Sequence, residues 1–498
     1  MAKLKKLPSP ISILVIVILL AAAATWLLPS GEYDKLSYAD KTFSIASAKG
    51  NKVLPATQHT LDSLGIRIPL AKFTNGDIRK PVAVPGSYHQ LPSNKQGPAH
   101  IIQAPIKGIY ETIDIILFIL FIGGFMHVFQ KTGAMEQGIR KLSHRMKGRE
   151  AWLIIIMTTL FAAGGSSFGM AEECLIFYPV MVPLFLAAGY DLLVPVATVM
   201  GGACLGNISS FSNPFATIIA SNAAGINWAD GLIERLGVFV AVGFVYVWYV
   251  VRYAQKVQRD PTASLVYQID GAVASPFAEV HSGPAVKLSG RHKILLTIFF
   301  FTFAVMIGGV MALEWWLPEM SALFLVSAII VAVITRTNES VFIGQFIDGA
   351  RELLGVAFII GVARGVGLIL NEGRIADSIL YYSSGLVGNM PPLLFVLILF
   401  GLYLVFTLFI SSSSGMAVLT MPIFGSMAVM AGAPGREVVN AYLFGMGIMG
   451  FLTPTGLLLP TLALVNISYK TWLKFIWPVL LMLILMCCLF LIGGALIA

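Results

Sequence analysis

The chain has 498 residues, 57% of them hydrophobic and only 12% charged, with a mean hydropathy of +0.83. Soluble domains carry roughly 25% charged residues, so a soluble enzyme or nucleic-acid-binding protein is excluded and a membrane protein is indicated. The formal net charge of +8 reflects basic residues gathered at helix ends, where the positive-inside rule puts them, and not a nucleic-acid footprint.

A basic start and an apolar run at residues 11–28 predict a first transmembrane helix within 1–29. No small-residue cleavage site follows, so the helix is read as retained, with a cytoplasmic amino terminus. Residues 30–108 are polar and rich in turn formers such as Pro85-Gly86, which predicts an extracytoplasmic loop. A first repeat is placed at 109–254. Its opening span, 112–130, delivers the chain to Lys131, Arg140, Lys141, Arg145, Lys147 and Arg149, a short basic segment expected in the cytoplasm. The apolar stretch near 152–190 is cut by Gly164-Gly165-Ser166-Ser167-Phe168-Gly169, leaving arms near or below spanning length, so a re-entrant hairpin is predicted. Residues 192–224 are interrupted from Asn207 to Pro214 and predict a broken helix. A further span then ends at Arg252, Lys256 and Arg259.

Residues 255–290 are polar, contain Pro261, Pro276 and Pro284, and are read as a cytoplasmic linker. A second repeat is placed at 291–498. It opens with a helical pair, 292–313 and 320–334, joined at Glu314-Trp315-Trp316, and continues with a span at 353–370. A second hairpin near 393–431 is cut at Ser411, Ser412, Ser413, Ser414 and Gly415, and a broken helix at 438–467 is cut at Thr453-Pro454-Thr455-Gly456. A last span follows from residue 471. Trp315, Trp316, Trp472 and Trp477 read as interface anchors.

The two halves share an order of features. Gly133 answers Gly373, Ser167 to Ala171 answers Ser413 to Ala417, and Gly206 to Phe211 answers Gly450 to Thr455, at offsets of 240, 246 and 244. By the charge-based topology the first hairpin enters from the cytoplasm and the second from outside, so the repeats are inverted and their tips meet near the midplane. Irregular backbone at that depth is tolerated only where it is buried or lines a cavity. Half-helix amino ends suit a carboxylate, carboxyl ends suit a sodium ion, and Ser and Thr hydroxyls add neutral oxygens. The fold class is therefore an all-α polytopic membrane protein whose architecture points to secondary transport of a small polar solute.

One half serves as a control for the other. Glu172 and Glu173 correspond to Val418 and Leu419, and Asn207 and Asn213 to Phe451 and Leu457. These four are one-sided additions to a symmetric frame. A carboxylate within the bilayer is costly and usually functional, so the glutamates are read as holding a cationic substrate group or a coupling ion, against a first-turn capping role. Arg364 is either a substrate contact or an internal ion-pair partner, and His127 is read as interfacial. Cys174, Cys204, Cys487 and Cys488 lie in apolar segments without a CxxC spacing and are read as small core residues. No P-loop, HExxH or intramembrane Ser/His arrangement occurs, so neither ATP-driven transport nor an enzyme is expected.

In its hairpin tips and broken helices, and through the segment 164–225, the sequence resembles the C4-dicarboxylate anaerobic carrier family of the ion transporter superfamily, in particular its YfcC-type branch, described as basic amino acid antiporters. The resemblance implies a homodimer in the bacterial inner membrane, with a scaffold and a mobile transport domain moving as an elevator. The chain departs from the Ser-Asn-Thr signature of related symporters, carrying Ser166-Ser167 and Ser411 to Ser414 at the tips and Ser209-Ser210 and Thr453 at the breaks.

The expected substrate site comprises Ser166, Ser167, Glu172, Glu173, Asn207, Ser209, Ser210, Asn213, Ser412, Ser413, Ser414, Gly415, Thr453 and Thr455. A Na+ is a candidate near Ser166, Asn207, Ser413 and Thr453, with H+ the other coupling ion and no further cofactor. A basic amino acid, such as arginine or ornithine, suits a site with two carboxylates and no cation. A C4-dicarboxylate or other carboxylate coupled to Na+ or H+ is the alternative, and a channel is the alternative of another class.

Overall fold

The computed structural model describes residues 9–47, 50–75, 78, 81–146, 148–266, 289–313, 315–387, 390–410 and 412–497. Most of the 255–290 linker and Ser411 lie outside these residues. Ten helices among the described residues are long and apolar enough to cross a membrane.

Helix α1 (Pro10–Leu27) starts on a Ser9 cap whose side chain accepts from the Ser12 N–H. In this otherwise helical chain the loop that follows folds into a small unit that carries short strands. Strands β1 (Gly31–Glu32), β2 (Lys35–Ala39), β3 (Thr42–Ser47) and β4 (Gly50–Pro55) precede short helices α2 (Gln58–Ser63) and α3 (Leu70–Thr74), and β5 (Val82–Ala83) and β6 (His89–Gln90) complete the unit. The order β4-β3-β2-β5 makes one antiparallel sheet and β1-β6 a second. Leu36, Phe43, Leu61 and Phe73 fill the small core, with Phe43 and Phe73 edge to face at 5.2 Å.

The polar loop also ends earlier than its composition suggests. Helix α4 (Pro98–Glu111) leads through Thr112 into α5 (Ile113–Lys131). Then come α6 (Ala134–Met146), α7 (Glu150–Ser167), a 3-10 turn at Glu172–Phe177, α8 (Tyr178–Ala187), α9 (Leu193–Ile208), α10 (Ile219–Ala223) and α11 (Leu232–Arg259). Past the linker lie α12 (Gly290–Leu313), α13 (Leu317–Thr335) and α14 (Glu339–Glu372). Helix α14 has 34 residues, far longer than the apolar run 353–370, because its polar first half stays helical behind an Asn338 cap. The chain ends with α15 (Ala376–Val387), α16 (Pro392–Phe409), α17 (Ser413–Ala431), α18 (Gly435–Gly450), α19 (Leu458–Leu464) and α20 (Tyr469–Leu496).

Helix α14 is packed along α4 and α5 by glycines: a Cβ on Gly108 would fall 2.1 Å from the Gly361 carbonyl oxygen, and one on Gly123 2.5 Å from that of Gly349. Three pairs cross the same seam: Lys107–Glu372 at 2.6 Å, Arg364–Glu111 at 2.8 Å and His127–Glu352 at 3.0 Å. His127 thus takes part in the pairing of α5 with α14.

Buried apolar side chains form three clusters. The largest joins α7 to α11 with α16 to α20 and reaches the external sheet. A second joins α5, α12 and α13. The third joins α1 to α14. Cys174, Cys204 and Cys487 are buried free thiols, as read from the sequence.

Candidate functional site

The glycines at the first hairpin tip let two backbones touch. A Cβ on Gly206 of α9 would sit 2.7 Å from Gly165 Cα and 2.4 Å from the Ala162 carbonyl oxygen of α7. Side chains then lock the contact. Ser166 Oγ donates to the Gly206 carbonyl at 2.9 Å and lies 3.1 Å from Ser209 Oγ. Ser209 Oγ donates to Leu205 O at 2.8 Å, and the Ser212 N–H reaches Ser166 O at 3.1 Å. Ser167 Oγ donates to Ala163 O at 2.6 Å.

Asn213 ties the break to the tip. Its Oδ1 accepts from the Phe215 and Ala216 N–H groups at 2.9 and 3.2 Å, and its Nδ2 donates to Gly165 O at 3.3 Å. Gly169, at φ +79°, passes so close that a Cβ there would meet Asn213 Oδ1 at 2.7 Å. The Asn213 side chain thus works on the backbone of the break, capping the helical turn at Pro214–Ile218. Ser210 is buried and accepts from Thr217 Oγ1 at 2.7 Å. Asn207 is half-buried with no side-chain hydrogen bond among the described residues.

The second half uses the same parts in another way. Ser412 caps α17, its Oγ accepting from the Gly415 N–H at 3.2 Å. The Ser413 carbonyl accepts from Tyr442 Oη at 2.9 Å. At the break, Thr453 Oγ1 and Thr455 Oγ1 are 2.8 Å apart, and Thr455 Oγ1 donates to Leu408 O, just before the tip, at 3.2 Å. Ser414 lies in the first turn of α17. The two breaks meet: a Cβ on Gly447 of α18 would fall 2.5 Å from the Ile208 nitrogen, and one on Gly450 3.0 Å from Cys204 Sγ.

Sequence reasoning missed who satisfies the carbonyls at the second break. Trp472 is fully buried, not interfacial, and its Nε1 donates to Phe451 O at 2.8 Å. Tyr469 Oη donates to Leu452 O at 2.6 Å. An aromatic donor near a helix start reads as a membrane anchor in sequence; only its contact across the fold assigns it to the break.

The two glutamates differ. Glu173 Oε2 accepts from the Ala171 N–H at 2.9 Å and so caps the 3-10 turn that follows the tip. Glu172 has no side-chain hydrogen bond to another residue among the described ones, and Asp114 of α5 lies within electrostatic reach of it. Both are half-buried. Arg364 resolves as an ion-pair partner of Glu111. Arg235, fully buried, donates from Nε to Asn440 Oδ1 at 2.9 Å, and Arg436 pairs with Glu234 at 3.1 Å. These three cations are thus engaged away from the tips and breaks. Among the described residues no group of three His, Cys, Asp or Glu side chains could hold a metal ion.

Ten helices among the described residues that are long and apolar enough to cross a membrane, together with apolar stretches that break where polar side chains gather inside the protein, fit a multi-pass membrane carrier. The chain belongs to the C4-dicarboxylate anaerobic carrier family, DcuC, which it matches over residues 7–495. It is 39% identical to an uncharacterized protein of Haemophilus influenzae (strain Rd) over 98% of this chain and 96% of that protein. It is 28% identical to YfcC of Escherichia coli (strain K12), named provisionally as a basic amino acid antiporter, over 94% of this chain and 92% of that one. The solved YdaH transporter of Alcanivorax borkumensis aligns with 97% of this chain and 98% of its own at 13% identity, with a TM-score of 0.39.

Proposed function

We propose that this carrier is a secondary transporter of an amino acid with a cationic side chain, working by uptake or exchange. The observation that carries the reading is charge. The acidic side chains beside the tips among the described residues are Glu172 and Glu173, while Arg235, Arg364 and Arg436 are engaged elsewhere. A dicarboxylate would call for surplus positive charge; an ammonium or guanidinium calls for an unengaged carboxylate, and Glu172 is one. Ser166, Ser167, Ser209, Ser210, Ser412 to Ser414, Gly415, Thr453 and Thr455 would frame the substrate and any Na+, with Asn207 the free amide among them and Asn213 positioning the tip. The name of the relative YfcC favours the same class. The description of the family favours the second reading, a C4-dicarboxylate coupled to Na+ or H+.

The proposed mechanism is an elevator in a homodimer of inverted repeats, with the amino terminus in the cytoplasm of a bacterial inner membrane. Support comes from the order of elements: α5, α6, α7, α8, α9, α10 and α11 are answered by α14, α15, α16, α17, α18, α19 and α20. The separation of apolar clusters supports it too, since both tips and both breaks fall in one cluster while α1, α12 and α13 fall in others.

The test is a thermal-shift screen of purified protein with arginine, ornithine and lysine against succinate and fumarate, each with and without sodium. Stabilisation by arginine or ornithine that Glu172→Gln abolishes is the expected result. Stabilisation by succinate or fumarate alone overturns the substrate. In proteoliposomes, uptake stimulated by substrate on the far side separates exchange from a channel.

A further inference from the structure

Away from the tips, four helix ends enclose a cavity of about 220 Å³ lined by Val128, Lys131, Thr132, Arg291, His292, Leu295, Thr335, Thr337 and Gln345. It lies where α5 and α13 end and α12 and α14 begin, on the membrane face that carries the basic segment after α5. Among the described residues no acidic one lines it. Lys131 is exposed and has no carboxylate in ion-pair distance among the described residues. Arg291 spends one N–H on the Thr335 carbonyl at 2.8 Å, which fixes its guanidinium at the rim and, among the described residues, leaves its other donors open.

The hydroxyls of the lining are already used. Thr132 Oγ1 donates to Phe129 O at 2.7 Å and Thr335 Oγ1 to Val331 O at 2.8 Å, while Thr337 Oγ1 lies 2.6 Å from Thr335 Oγ1. What remains for a ligand is two cations, an imidazole and the Gln345 amide around a floor of Val128 and Leu295. That set matches an anionic oxygen cluster of phosphate type, with Arg and Lys as charge-assisted donors. Close in sequence to the lining residues Leu295 and Gln345, and toward the apolar runs of their helices, Ile294 and Ile347 are 55% and 45% exposed.

We propose that this cavity binds the phosphate head group of an anionic membrane phospholipid, with the acyl chains running past Ile294 and Ile347. Basic pockets between transmembrane helices at a membrane surface bind lipid head groups by this charge pattern. The site joins the end of α5 to the starts of α12 and α14, so an occupied site pins three helices of the second and third apolar clusters at one level.

The experiment uses full-length, delipidated protein in detergent, measuring thermal stability on addition of phosphatidylglycerol, phosphatidylcholine or inorganic phosphate. Phosphatidylglycerol should raise the melting temperature and the other two should not. Lys131→Gln removes no ion pair or side-chain hydrogen bond among the described residues, and it should weaken the phosphatidylglycerol effect about fivefold in midpoint concentration, from one lysine's attraction to an anionic lipid. Native mass spectrometry of the same two proteins should show fewer retained phosphatidylglycerol molecules on the variant. An equal response to phosphatidylcholine, or equal midpoints and lipid counts for Lys131→Gln and wild type, overturns the proposal. An equal response to inorganic phosphate overturns the lipid as the source and leaves a soluble-anion site.

Discussion

Gly165 and Gly206 hold the first hairpin and the first broken helix backbone to backbone, with room for no side chain between them: a Cβ on Gly206 would lie 2.7 Å from Gly165 Cα. Gly206→Ala is therefore an overpacking substitution at a rigid contact. It should cost about 1–3 kcal/mol and lower the melting temperature in detergent. Gly401 of α16 has nothing within 4 Å of a built Cβ. Gly401→Ala should be neutral or stabilising by up to about 1 kcal/mol through helix propensity. Equal melting temperatures for the two variants would show that the α7–α9 contact yields easily.

Trp472 is expected to matter through one hydrogen bond. Trp472→Phe keeps much of the ring but leaves the Phe451 carbonyl without its donor at 2.8 Å. A buried acceptor left unpaired costs about 1–3 kcal/mol. Chemical or thermal unfolding measures the loss. An unchanged stability would mean that water replaces the indole at the break.

The seam between α4 and α14 can be tested by exchange of charge. Glu111→Arg places two cations side by side opposite Gly361 and Gly365 and should reduce the yield of folded protein. The double variant Glu111→Arg with Arg364→Glu should restore it, with a coupling energy of roughly 0.5–3 kcal/mol. Failure of the double variant to recover would remove the Arg364–Glu111 pair, 2.8 Å apart, from the forces that join the two helices.

Asp377 opens α15 and anchors the external sheet unit, accepting from the Tyr33 N–H at 3.1 Å and facing Lys35 Nζ at 3.9 Å. Burial pushes its carboxyl above the ordinary range, and the lysine only partly offsets this. A raised value means that the folded state holds the proton more tightly than the unfolded chain. The contribution to stability is then complete below the ordinary carboxylate range and is lost as pH rises through the folded value. Hydrogen exchange at residues 30–46 should accordingly be slower under mildly acidic conditions than at neutral pH, after correction for intrinsic rates. Asp377→Asn should flatten that difference. A steeper pH dependence in the variant would contradict the assignment.

Much of the membrane frame was legible because helix breakers at membrane depth have few innocent explanations. Gly164 to Gly169 and Thr453 to Gly456 interrupt otherwise apolar runs, and each marks an interruption of helix. The external sheet was missed although Phe43 and Ile45 alternate with polar residues, because its strands are six residues or shorter and sit among turn formers. Gly97, Pro105 and Gly108 made α4 read as loop; the glycine is there to admit α14, which no local pattern reveals. The Arg364–Glu111 pair was open for the same reason, its partners being 253 residues apart. Asn213 stands out in the sequence as an asymmetric residue, but its two hydrogen-bonding ends face backbone groups that only the folded chain brings near.

The seam of α4 and α5 against α14 has a geometric consequence. Helix α14 has 34 residues, and at 1.5 Å per residue it measures about 51 Å. The hydrocarbon layer is only about 30 Å thick. A rod of that length must overhang the layer, and α4 and α5, which touch it at Gly108 and Gly123, are held alongside it. The glycine seam thus makes α14, with α4 and α5 alongside, a long rib of which one part stands clear of the lipid.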